Sequence, residues 1–508
     1  MRDRVLAWPR KRTYTTSINK TVKARSMDYA FSSAARLALD VREKRIGCRE
    51  LLDLYLRRLD AIDPAVNAIV VRDIDSARSR ADAADAALAR GELWGPLHGL
   101  PITVKESYNV AGLATTRGIP HLAGREADRD MLVVERLKAA GAVVFGKSNV
   151  PIHLADWQSY NAIYGCTNNP WDLSRTPGGS SGGGAAAVAA GLVAFEAGSD
   201  SAGSLRVPAH YCGVYGHRPT HGIVPQVGHE LDGAIAPRDL STLGPIARTA
   251  DDLALVLGVM AGPDTIDANS SALASPPMER RGFADLRIAV MLDSPIARVD
   301  TETRAQLRNV AAFLSDRGAQ VQEAAPAIDP EQASLTFLRL LRAAGSAGLT
   351  DESAQAAKLF LDGVSPNDSN YRIESARAEV MSHRDWFRAD EMRHQMRRTW
   401  TEFFQSWDFL ICPASSTAAT HHDHVSKRWE QTIRIDGEVI PATDQMFWVG
   451  FSALAHLPST VAPLGLSGEG LPIGMQVIGP QGHDLRCIAF AAMLERCYRG
   501  FVAPPAFA

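Results

Sequence analysis

Residues 175 to 220 read RTPGGSSGGGAAAVAAGLVAFEAGSDSAGSLRVPAHYCGVYGHRPT, and this stretch holds the serines best placed to do chemistry. Gly178, Gly179, Gly182, Gly183 and Gly184 flank Ser180 and Ser181; a second pair, Gly203 and Ser204, follows inside an apolar frame. Glycine permits backbone shapes and close approaches that other residues resist. The Ala-rich run AAAVAAGL predicts a helix directly after the first pair. Its first amides lack internal partners, and its dipole favours negative charge there. A serine in such a place can attack, carry a proton, cap the helix or belong to a linker. A linker is disfavoured between a strand pattern and a buried helix. A phosphate loop would need a Gly-Lys-Ser/Thr ending, which is missing. The G-x-S-x-G elbow is also missing around Ser204, in SAGSLRV, which disfavours a Ser–His–Asp enzyme of the α/β-hydrolase kind.

The segments PGGSSGGGAAAVAAG, GSDSAGSLRVPA and CGVYGHRPT together resemble the signature of the amidase signature family. GLPITVKES, GKSNVP, TNNPWD and GLPIGMQVIGP extend the resemblance in order, from near residue 30 to the C-terminus. It implies an amide hydrolase with a Ser–Ser–Lys triad: Lys105 as base, Ser180 as proton relay after a cis Gly179–Ser180 bond, and Ser204 as nucleophile. A serine hydroxyl is a weak nucleophile until a base takes its proton. Lys105 can be that base only when neutral, and burial at a strand end lowers a lysine's pKa. The relay would return the proton to the leaving amine. No cofactor is expected.

The same resemblance implies an oxyanion hole made by the amides of Ser201, Ala202, Gly203 and Ser204. The common form is Asp-Ile-Gly-Gly-Ser; this chain reads Asp200-Ser201-Ala202-Gly203-Ser204. If position 202 needs a left-handed backbone, Ala202 is strained by roughly 1 kcal/mol. Asp200 and Arg206 match a supporting pair of the family pattern.

Trp157, Tyr160, Phe447 and Trp448 are expected substrate contacts, with Tyr164 a further candidate; core packing explains these aromatics equally well. The bulky segments LADWQSYNAIYG and DQMFWVG favour an apolar or aromatic acyl group. The expected products are a carboxylate and ammonia or an amine, with carbamates (urethanes) and esters chemically close. Two alternatives stand. One is the glutaminase subunit of a tRNA amidotransferase, which needs partner subunits and a glutamine pocket. The other is an inactive binding protein, against which the retained Lys105, Ser180 and Ser204 argue. His421, His422, Asp423 and His424 can hold a metal, but the favoured reading is a polar loop, and no metal is expected.

Strands alternating with helices predict the α/β fold that positions these groups, a large twisted mixed sheet covered by helices on both faces. Two helices are predicted within Asp28 to Ala61 and a third over Asp75 to Arg90. LPITVK, residues 100 to 105, is a short strand ending on Lys105. A helix over Asp130 to Ala140 leads into AVVFGK as a buried strand. The pattern resumes with LRIAVML, a helix over Thr301 to Arg317, the strands DFLICP, STVAPLG and IGMQVIG, and a last helix over Asp484 to Tyr498. Asp264 to Gly282 reads as a surface loop. Residues 329 to 407 read as a helical cap-like insertion in a single catalytic domain spanning 27 to 508.

The bulk numbers set outer limits. The 508 residues are 46% hydrophobic and 22% charged, with a formal net charge of -3. No strong field points to nucleic acid, and no apolar run reaches the ~20 residues needed to span a bilayer. Six cysteines without a CxxC pair fit a reducing compartment, so a cytoplasmic location is expected. A homodimer is compatible with all of this. Residues 1 to 26 carry eight Lys and Arg against Asp3 and read as a flexible leader, with a targeting segment as the alternative.

Overall fold

The computed structural model describes residues 29–230, 234–264 and 282–507. The basic leader and almost all of the loop expected from Asp264 to Gly282 lie outside the described residues.

Short apolar runs give the strands. In chain order these are β1 (Ile69–Arg72), β2 (Pro101–Lys105), β3 (Val143–Ser148), the small hairpin β4 (Tyr160–Asn161) and β5 (Gly165–Cys166), β6 (Phe195–Asp200), β7 (Tyr215–Arg218) and β8 (Thr242–Ala247). The second half supplies β9 (Arg287–Val290), β10 (Gln320–Glu323), β11 (Phe409–Pro413), the hairpin β12 (Thr432–Ile435) and β13 (Glu438–Pro441), β14 (Ser459–Leu466) and β15 (Pro472–Ile478). Outside the two hairpins they form one sheet, in the order β1-β3-β2-β6-β8-β7-β14-β15-β11-β9-β10. β2 runs parallel to β3 and β6, and β9 parallel to β10 and β11. The central pairs from β6 to β15 are antiparallel, so the sheet is mixed, as expected.

Side chains alternate across a strand, and here the alternation separates two apolar layers. Phe409 and Ile411 of β11 join one cluster with Ile288, Met475 and Val477. Leu410 and Cys412 join another with Ala289, Phe447 and Trp448. Both faces are therefore covered. Helices Pro330–Gly345, Asp351–Asp362, Tyr371–Glu379 and His383–Ser406 occupy the segment read as a cap. The first and last of these seat on helix Met446–Leu454: Trp400 and Phe451 lie 4.9 Å apart by ring centroids, and Gly450 leaves room for Phe337.

The helix expected at AAAVAAGL begins earlier, at Gly182, and runs to Ala189. Glycine is a poor helix former, so the start was not legible. Packing dictates it instead. A Cβ on Gly183 would lie 2.4 Å from the Asn149 amide nitrogen, and one on Gly184 would lie 2.4 Å from Glu196 Cγ.

Candidate active site

β2 is buried throughout and delivers Lys105 at its C-terminal end. Its parallel pairing with β6, Thr103 opposite Glu196 and Val104 opposite Ala197, brings Ser199 alongside Lys105. Lys105 Nζ lies 2.7 Å from Ser180 Oγ, 3.0 Å from Ser199 Oγ and 3.5 Å from the Ser199 carbonyl. Lys105 is 0% exposed. That burial pulls its pKa down to about 7; Arg117 pushes the same way, while Asp200 and Glu196 oppose it.

Ser180 follows a cis Gly179–Ser180 bond in a tightly laced loop. Ser159 Oγ donates to the Gly178 carbonyl at 3.0 Å and accepts from the Gly182 amide at 3.1 Å. A Cβ on Gly179 would sit 2.4 Å from the Asp156 carbonyl oxygen, so only glycine fits there. The Ser181 amide donates to the Ser204 carbonyl at 3.2 Å, joining the two serine loops. Ser204 keeps 8% of its surface exposed against 1% for Ser180, and is the most open of the three.

The Ser204 turn is organised by Asp200, the last residue of β6. Its carboxylate accepts from the amides of Gly203 (2.8 Å) and Leu205 (3.1 Å), and from Arg206 Nε and Nη2 at 3.0 Å each. Burial would raise the Asp200 pKa, but Arg206 and Arg218 hold it well below the carboxylate range. Arg206 Nη1 also donates to the Val449 carbonyl at 2.8 Å and Ser452 Oγ at 2.9 Å, which fastens the turn to helix Met446–Leu454.

One expectation for the oxyanion loop changes. The left-handed backbone falls on Gly203, with φ +90°, and not on Ala202, so Ala202 carries no such strain. The Gly203 amide is already bonded to Asp200. That bond braces the turn.

Among the expected substrate contacts, Trp157 lies against this loop. Its indole Nε1 donates to the Ala202 carbonyl at 2.8 Å, and the Arg428 guanidinium lies 5.1 Å from its ring centre. Phe447 and Trp448, 2% and 0% exposed, sit in the apolar cluster that includes Trp157 and packs on Ala202. Tyr160 stacks on His424 at 3.9 Å, and Tyr164 donates to Glu106 at 3.3 Å. The sequence reading missed Ser199 and Glu196 because it did not recognise β6. The apolar start of LVAFEAGSD was the available signal.

Two groups of metal-ligating side chains occur among the described residues: Cys166 with His422 and His424, and His221 with Asp239 and His456. In the second, Arg393 Nη1 donates to both Asp239 oxygens at 2.7 Å and lies 3.1 Å from His456 Nε2. A guanidinium already supplies the cation there. No helix among the described residues is long and apolar enough to cross a membrane.

A protein-family model described as Amidase matches residues 50–488. An acylamidase of Rhodococcus erythropolis is 33% identical over 470 residues, covering 91% of this chain and 94% of that relative. A glutamyl-tRNA(Gln) amidotransferase subunit of Anaeromyxobacter sp. (strain K) is 35% identical over 491 residues, covering 92% and 96%. The crystal structure of a bacterial aryl acylamidase of the amidase signature family matches with a TM-score of 0.77 at 26% identity, covering 92% of this chain and 96% of that one. The chain belongs to the amidase family and is an amide-hydrolysing enzyme.

Proposed function

We propose that Ser204 attacks the amide carbonyl while Ser180 relays its proton to Lys105. The observation that carries this reading is the 2.7 Å contact between a fully buried Lys105 Nζ and Ser180 Oγ. In the ammonium form Nζ donates all three of its bonds. In the neutral form two hydrogens stay on the hydroxyl and carbonyl of Ser199, and the lone pair faces the Ser180 hydroxyl. A base held by such contacts is aimed before substrate arrives. As the Ser204 Oγ–carbon bond forms, negative charge moves to the carbonyl oxygen, near the amides of Ser201, Ala202 and Ser204. Collapse breaks the C–N bond, the relay returns the proton to the amine, and water then releases the carboxylate.

The apolar surroundings of the loop support an apolar or aromatic acyl group. Trp157 is bonded to Ala202, and the cluster of Phe447 and Trp448 stands behind it. Carbamates and esters present the same carbonyl to the same nucleophile. The second reading, a glutaminase subunit, draws on the similarity to the amidotransferase of Anaeromyxobacter; a glutamine pocket would need polar groups for the amino acid head. In the proposed organisation residues 27 to 508 act as one catalytic unit, with 329 to 407 bracing the helix behind the nucleophile turn. Six free cysteines support a reducing, cytoplasmic setting.

The test is a panel of aliphatic amides, anilides, carbamates and glutamine against the wild type and Ser204→Ala. Turnover of anilides above glutamine, abolished in Ser204→Ala with its fold intact, is the expected result. Preference for glutamine overturns the substrate assignment; an active Ser204→Ala overturns the mechanism.

A further inference from the structure

Cys166, at the end of β5, meets two histidines from the loop after β11, although 256 residues separate Cys166 from His422. Its Sγ lies 3.6 Å from His422 Nδ1 and 3.7 Å from His424 Nε2. One ligand atom from each residue can be chosen so that all three lie within 4.8 Å of one another. A tetrahedral zinc ion, with Zn–S about 2.3 Å and Zn–N about 2.0–2.1 Å, sets its sulfur and nitrogen ligands about 3.6 Å apart. A single thiol hydrogen satisfies one acceptor at most, and the Thr167 carbonyl, 3.4 Å from Sγ, competes with both nitrogens for it.

The surroundings hold the ligands as a metal site does. Sγ is 3.9 Å from the other His422 nitrogen. Tyr160 stacks on the His424 ring. Between the histidines the Asp423 backbone is pinned at both ends by Gln158, whose Nε2 donates to the carbonyl at 2.9 Å and whose Oε1 accepts from the amide at 2.7 Å. Asn168 Oδ1 lies 3.7 Å from the sulfur, while its Nδ2 donates to the Ala65 carbonyl.

We propose that Cys166, His422 and His424 bind a thiolate-preferring divalent ion of the zinc class, with Asn168 Oδ1 or water at the fourth position. The cysteine gives up its proton to the solvent as the sulfur–metal bond forms, and the imidazoles coordinate neutral. The bound ion fastens the loop that carries Arg428 to the segment that carries Trp157. The polar-loop reading of residues 421 to 424 had no means of seeing Cys166. His421 and Asp423 stay outside the cluster: His421 contacts the Ser174 carbonyl, and the Asp423 carboxylate caps the Val425 and Ser426 amides.

The full-length protein, stripped with EDTA, is titrated with Co²⁺ and then with Zn²⁺ in competition with a chromophoric chelator. The expected result is a near-ultraviolet thiolate-to-cobalt band that Zn²⁺ displaces. The band is lost in Cys166→Ala, and Zn²⁺ affinity falls at least about tenfold in the exposed-site variant His424→Ala. Circular dichroism checks that both variants fold. No thiolate band in the wild type, or unchanged Zn²⁺ affinity in His424→Ala, overturns the proposal.

Discussion

Lys105 and Ser199 face each other across adjacent parallel strands, with Nζ 3.0 Å from the hydroxyl oxygen and 3.5 Å from the carbonyl oxygen of the same residue. Both oxygens accept, so they hold two amine hydrogens and leave the third direction for Ser180. Ser199→Ala removes one acceptor and loosens that aim. A hydrogen bond of about 1 kcal/mol corresponds to a fall of about fivefold to tenfold in kcat. KM should be unchanged, because Ser199 acts through the Lys105 amine, and Ser199→Thr should restore the rate. Steady-state kinetics decide: an unaltered kcat removes Ser199 from the positioning role.

The pH dependence follows from the sign of the Lys105 shift. Burial brings its pKa from 10.5 to about 7, and the neutral form is the active one. kcat/KM should therefore rise with pH through about 7 and level off above it. Lys105→Arg should lose several orders of magnitude although it keeps the charge, because a guanidinium does not give up its proton. Lys105→Ala should be equally poor. An arginine variant that retains most of the rate shows that position 105 acts only through its charge.

The Asp200–Arg206 pair has both side chains fully buried, and its carboxylate also caps the Ser204 turn. Asp200→Asn leaves Arg206 without its counter-charge, which costs about 3–5 kcal/mol when one partner of a buried pair is removed. The folded-state pKa of Asp200 is depressed. Its contribution is thus present above the unfolded carboxylate pKa of about 4 and is lost as pH falls below it. Denaturant titration at neutral pH should show the full loss. The gap between wild type and variant should narrow in acid; a gap that stays constant to pH 2 contradicts this account.

The parts of this architecture that local pattern can write were legible. β2, β3, β11, β14 and β15 are apolar runs, and the helices flanking them have regular spacing and stops such as Gly91 and Gly141. The glycine and serine motifs pointed to Lys105, Ser180 and Ser204 through resemblance. What stayed hidden depends on tertiary contact. β6 mixes Glu196, Gly198, Ser199 and Asp200 into a buried strand, which breaks any apolar pattern, because those residues serve the site. The meeting of Cys166 with His422 and the bond from Trp157 to Ala202 join segments far apart in the chain. Residue types alone carried no trace of either.

Glu196 offers the sharpest test of how the site is charged. It is fully buried between strands, with Ser148 Oγ donating to Oε1 at 2.5 Å and Thr103 Oγ1 donating to Oε2. Burial raises its pKa from 4.5 to about 7, against the pull of those two hydroxyls and of Lys105. A carboxyl whose pKa is raised by folding stabilises fully below its unfolded value; that contribution is lost as pH rises through the folded one. Over the interval from 4.5 to about 7 the loss is on the order of 3 kcal/mol. Glu196→Gln has the same shape and no proton to lose, and either hydroxyl can turn to accept from its amide. The variant should therefore gain stability relative to wild type between pH 5 and pH 8. It also removes a negative charge that holds the Lys105 pKa up. The acid limb of kcat/KM should move to lower pH, with Ser204 still reactive. Chemical denaturation at the two pH values and a pH–rate profile measure the two effects separately. A variant equally destabilised at both pH values means that Glu196 is ionised throughout; a limb that moves upward means that its charge does not reach Lys105.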